Sequence, residues 1–142
     1  MKTVRILPMN HELEFNNKNI EEVQNEFFLG SLKNGYKDIP KGVYYYRTKG
    51  LSSKDGDLIL FQMDNQIIAS AIFQDSIPFE RIFNDIKYNG ELWVHQDTIK
   101  IFNPISNDEL QELIPDFKRF GDTKYCFDLT DEEYNILVDR TN

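Results

Sequence analysis

Residues 56–73, GDLILFQMDNQIIASAIF, decide how this chain folds. Two apolar runs, Leu58–Met63 and Gln66–Phe73, flank Asp64-Asn65. Asp and Asn tolerate positive φ, so a two-residue Asp-Asn link between such runs predicts a tight β-hairpin. Leu58 and Leu60 alternate with Ile59 and Phe61, which makes both faces of the first strand apolar. In the second run Ile67, Ala69, Ala71 and Phe73 share one face, and Ile68, Ser70 and Ile72 share the other. A hairpin apolar on both faces belongs inside a closed or covered sheet. The small Ala69, Ser70 and Ala71 point to close packing or a nearby cavity.

The totals bound the rest. The chain has 142 residues, 40% hydrophobic and 13% aromatic, enough to bury one real core and rich in strand-forming rings. One domain spanning 1–142 is the simplest organisation. A single Cys, Cys126, leaves no internal disulfide framework and no CxxC site; placed in a predicted strand, it reads as a small buried hydrophobe. Two histidines, His11 and His95, do not make a His-rich metal site, and the residues imply no cofactor. No apolar run approaches the ~20 residues of a membrane span. The first residues lack the apolar core of a signal peptide, so the expectation is a cytoplasmic protein without a membrane partner. Net charge is −8, which argues against a protein that coats nucleic acid. Residues 33–54, however, hold six bases and one acid, making that segment +5 and the remainder −13. Such a patch can grip a few phosphates or can be a solvated Lys-rich loop.

Outside the central hairpin the elements are short. Thr3–Leu7 predicts a strand. Asn16–Leu32 predicts a helix, with Asn17 as its cap and Ile20, Val23 and Phe27 on one face. Val43–Arg47 predicts a strand of strong β-formers. Phe79, Ile82, Phe83 and Ile86 have helical spacing after Pro78, and an irregular crossing of the sheet fits equally. Asn89-Gly90 predicts a turn, followed by strands at Glu91–His95 and Thr98–Asn103. Ser106–Glu109 and Thr130–Glu133 read as capping boxes opening two helices, with a strand at Lys124–Leu129 between them. The fold class expected is α+β, a small barrel of five to seven mostly antiparallel strands with flanking helices.

Few residues carry chemistry by spacing. Asp55 and Asp57 could pair as carboxylates, but Asp-Gly-Asp before a strand more often makes a turn. His95 has no partner by spacing. Aromatic and basic residues do concentrate together: Lys41, Tyr44, Tyr45, Tyr46, Arg47 and Lys49, then Phe61, Gln62 and Trp93. Aromatic rings stack on bases and adjacent cations hold phosphates. The same stripe is also ordinary strand core.

KGVYYYRTKGLSSKDGDLILFQMDNQIIASAIF, YNGELWVHQDTIKIFNPIS, PDFKRFG and DLTDEEYNIL, in that order, resemble PUA-like domains of the EVE type found beside nuclease domains in modification-dependent restriction enzymes. The resemblance spans most of residues 20–138. It implies a β-barrel with an aromatic pocket that holds a modified or flipped base. Tyr44, Tyr46, Phe61 and Trp93 would then stack, Gln62 would read the base edge, and Arg47, Lys49 and Ser52 would face phosphates. No nuclease motif is present in the sequence, so the implied partners are DNA or RNA carrying a modified base and a separate or fused nuclease. The GxKxxExR signature of the related ASCH group is absent.

Two readings follow. The first is a non-catalytic nucleic-acid-binding module, in which Tyr46→Ala weakens base binding and leaves the fold intact. The second is an acidic interaction module, of a phage or mobile-element kind, engaging a basic protein partner. A weaker third reading is a hydrolase using Asp57 or His95.

Overall fold

A computed structural model describes residues 1–48 and 50–142. The central hairpin forms as its sequence predicts. Strands Leu58–Met63 (β3) and Gln66–Phe83 (β4) pair antiparallel through Asp64 and Asn65, at φ 52° and 59°. Positive φ at both central residues matches the right-handed twist of the flanking strands, which is why so short a link closes.

Five further strands complete the sheet: β1 (Lys2–Pro8), β2 (Val43–Tyr46), β5 (Ile86–Val94), β6 (Lys100–Ser106) and β7 (Cys126–Leu129). Four helices flank them: α1 (His11–Phe15), α2 (Ile20–Glu22, running on as a π-helical stretch Val23–Leu32), α3 (Asn107–Leu113) and α4 (Asp131–Arg140). The hydrogen-bonded order is β2-β5-β4-β3-β1-β7, with β6 also on β4. Among the described residues only β1 with β3 is parallel. The class is therefore α+β with a mostly antiparallel sheet.

The long strand β4 organises the sheet. Its first half pairs with β3 on one edge and β6 on the other; from Phe73 onward it pairs with β5. A 3-10 turn at Gln96–Thr98 separates β5 from β6 along that edge. A register shift between Ile67 and Ala69 frees the Ile68 carbonyl. The buried Gln24 amide donates to it at 2.9 Å and to the Phe102 carbonyl at 2.8 Å, tying α2 to β4 and β6.

Both apolar faces of β3 are covered, but on β4 the register shift breaks the alternation read from the sequence: Ile67 joins the Leu58 and Leu60 side, and Ile68 joins Ala69, Ala71 and Phe73. Ile59, Phe61 and Met63 pack with Phe28 and Leu32 of α2, whereas Leu58 and Leu60 pack with Leu110, Ile114 and Leu137 around α3 and α4. Covering from both sides satisfies those faces without closure. Among the described residues the sheet is open: β2 and β7 end the path and do not pair, so the expected closed barrel is not what the strands form.

Several local expectations change. Asn89-Gly90 is no turn; both residues lie inside β5, and the turn is Asn84-Asp85, at φ 50° and 64°. Residues 79–83 are extended, because Phe79 and Phe83 pack on Tyr45 at 5.4 and 5.7 Å between ring centroids. The helix after residue 16 begins at Ile20 with Asn19 as its cap, since Asn17 is left-handed at φ 60°. Thr130 and Glu133 form a full capping box. Ser106 caps α3 one way only, because the Glu109 carboxylate is turned to the guanidinium of Arg140 on α4. Cys126 is exposed, on the solvent side of the end strand β7.

Candidate functional site

The helix α1 has no counterpart in the sequence reading, and it supplies a carboxylate to an aromatic pocket beside β2. Asn10 caps it, its side chain accepting from the Leu13 N–H at 2.8 Å. His11 pairs with Asp64 at 2.9 Å, which pins the helix to the hairpin turn. Glu14 therefore points toward β2. Its Oε1 accepts from the Tyr44 hydroxyl at 2.5 Å and its Oε2 from the Asn10 N–H at 2.6 Å.

Around this carboxylate lies a cavity of about 230 Å³. Its walls are Phe15 from α1, Phe27 and Ser31 from α2, Tyr36 and Ile39 from the following loop, Val43, Tyr44 and Tyr45 from β2, and Tyr88 from β5. Because β2 is an end strand, residues on its two faces reach one hollow. Phe27 sets its edge against Tyr44 and Phe15, with centroids 5.8 and 5.2 Å apart. The volume is below the ~300–1,000 Å³ of drug-sized sites, so the cavity suits one flat ring system or a small cation.

The walls perturb the ionisable groups. Burial raises the Glu14 carboxyl above its ordinary range, while the Tyr44 hydroxyl, the Asn10 N–H and the Arg47 charge pull it back down. Burial also holds the Tyr44 phenol well above its usual value, and the Glu14 charge adds to this. Tyr44 is thus a neutral donor, and among the described residues Glu14 is the one carboxylate of the wall.

A wider hollow of about 590 Å³ adjoins the cavity, sharing Tyr36, Ile39, Tyr45 and Tyr88. Lys37, Asp38, Arg81, Phe83 and Asn84 complete it. The Lys37 ammonium sits 5.2 Å from the Tyr36 ring centroid and the Arg81 guanidinium 4.8 Å from that of Phe79. Tyr45 and Phe83 stack with a 17° tilt. Rings and cations therefore share one mouth.

The residues expected from the sequence scatter around this site. Tyr44 lines it. Phe61 lies behind it, fully buried against Phe28 and Tyr44 at 4.9 and 5.9 Å. Tyr46 is core, 2% exposed, with its ring against Gly90. Arg47 is half-buried and acts on Glu14 through its charge. Ser52 lies in the exposed loop before β3. Lys49 lies outside the described residues. Gln62 faces away from Phe61 on β3, with its Oε1 buried and unpartnered. Trp93 lines a different hollow with Lys41 and His95, and its Nε1 donates to Glu91 at 3.0 Å. His95 has gained a carboxylate that spacing did not reveal: its Nε2 lies 2.7 Å from Asp55. Asp57 closes a turn, accepting from the Lys54 N–H at 2.9 Å.

Glu14, Phe15, Phe27, Tyr36 and Tyr88 were missed. Tyr88 stood next to a false turn signal, and Glu14 in a helix too short to show periodicity. No protein-family model matches the chain, and no curated protein matches its sequence.

Proposed function

We propose that this chain is a nucleic-acid-binding module that receives a modified or flipped base in the aromatic cavity and carries out no catalysis of its own. One observation carries the reading: rings from four separate elements converge on a hollow sized for one flat ring system, with the Glu14 carboxylate in its wall. Aromatic faces accept any base, and a few fixed polar groups then select among them. Lys37 and Arg81 at the mouth supply phosphate contacts. The resemblance to PUA-like, EVE-type domains supports the same reading. On this proposal the bent β4 and its flanking strands are a barrel-like body left open between β2 and β7, acting in the cytoplasm alongside a nuclease.

A fluorescence-anisotropy titration tests it, with single- and double-stranded oligonucleotides carrying cytosine, 5-methylcytosine or 5-hydroxymethylcytosine at two salt concentrations. The expected result is a preference for one modified base, with affinity falling as salt rises. Absence of binding to every oligonucleotide at low salt overturns the reading. The −13 charge outside residues 33–54 favours the alternative, a basic protein partner. That partner would survive nuclease treatment in a pull-down.

A further inference from the structure

The cavity has a chemical polarity that its rings alone would not give it. An ionised carboxylate only accepts hydrogen bonds, and it offers about four lone-pair sites. The protein occupies two of Glu14's, one on each oxygen, through Tyr44 and Asn10. Both donors hold the group rigidly and leave acceptor capacity on a residue that lines the cavity. Its charge repels phosphate and keto oxygens and attracts N–H groups. Arg47 offsets part of this charge from outside the lining, while among the described residues Lys37 and Arg81 belong to the outer hollow.

Resting on the base-binding reading above, we infer that the cavity selects amino-bearing bases, of the cytosine or adenine type, over their keto counterparts, and that Glu14 is the selecting residue. A base amino group donates to Glu14 while its ring lies against Tyr45, Tyr88 or Phe27. A keto group at the same position sets oxygen against oxygen. Discrimination by a charged hydrogen bond of this kind is worth about tenfold or more.

The test uses matched single-stranded oligonucleotides that differ at one central base: cytosine against uracil, and adenine against hypoxanthine. Each pair exchanges an amino group for a keto oxygen and turns the neighbouring ring nitrogen from an acceptor into an N–H donor, so the keto member reaches Glu14 only by sliding one ring position. Wild-type protein should favour the amino member of at least one pair by about tenfold. Glu14→Gln should shrink that ratio to within about threefold, since a carboxamide both donates and accepts. This variant keeps its local bonds: the amide oxygen accepts from Asn10, and the Tyr44 hydroxyl reverses to accept from the amide NH2. Circular dichroism melting checks the fold, and the wild-type comparison needs no variant at all. Measurable but equal binding within both pairs overturns the inference and leaves the base pocket standing. Failure of all four oligonucleotides overturns the inference, and it overturns the base-binding reading too only when the modified-cytosine oligonucleotides also fail; binding of a trimethyllysine peptide in their place overturns both.

Discussion

The Tyr46 ring fills the space beside Gly90 in which any other residue would place its Cβ; a Cβ there would stand 2.3 Å from the Tyr46 hydroxyl oxygen. The two are register partners across β2 and β5. Gly90→Ala should therefore destabilise the fold by about 1–3 kcal/mol through overpacking. Tyr46→Ala should cost about 3–5 kcal/mol through the cavity it leaves. In the double variant the clash is gone, so the two costs should sum to less than their separate values in denaturant titrations. Simple additivity would mean that the ring does not rest on Gly90. Tyr46→Ala is thus expected to fail as a clean binding variant.

Tyr44 should act on the cavity through Glu14. Removing its hydroxyl in Tyr44→Phe deletes a donor that lowers the Glu14 pKa, while burial continues to raise it. Carboxyl NMR should show Glu14 titrating at higher pH in the variant than in the wild type. An unchanged Glu14 titration would separate the two groups. The lost bond to a charged acceptor should cost about 1.5–3 kcal/mol where Glu14 is ionised.

Glu14 should also shape stability against pH. Its carboxyl is raised from 4.5, so the folded chain holds that proton more tightly than the unfolded chain. Its contribution is complete below the unfolded value and is lost as pH rises through the raised one. The groups that modulate it are the Tyr44 hydroxyl, the Asn10 N–H and the Arg47 charge. Melting temperatures of wild type and Glu14→Gln should therefore diverge in the variant's favour between pH 4 and neutrality. A constant offset across that range would show an unperturbed carboxyl.

Lys37 and Arg81 are exposed and stand at the outer hollow, so removing either should leave the melting temperature near its original value. If each contacts one phosphate of a single strand, Lys37→Ala and Arg81→Ala should each reduce the slope of log affinity against log salt by about 0.7. Unchanged slopes would place the nucleic-acid backbone elsewhere.

Much of this protein was legible in its sequence. The β3–β4 hairpin is written in the period-2 runs and in Asp64-Asn65. The covered sheet follows from strands apolar on both faces, and the start of α4 follows from Thr130 and Glu133. Each of these rests on interactions among residues a few positions apart, so neighbouring letters suffice. Tertiary structure decided the rest. Asn89-Gly90 carries a turn signal, yet Tyr46 needs the glycine as a bare surface, and the Asn89 amide donates to the Arg47 carbonyl at 2.8 Å. Nothing in the sequence singles out Glu14; Tyr44, thirty positions away, closes over it. Whether the sheet shuts or stays open depends on helices arriving at both of its faces. A short-range pattern fixes torsion angles. Burial, and with it the altered chemistry of a carboxylate, exists only once distant segments have excluded water together.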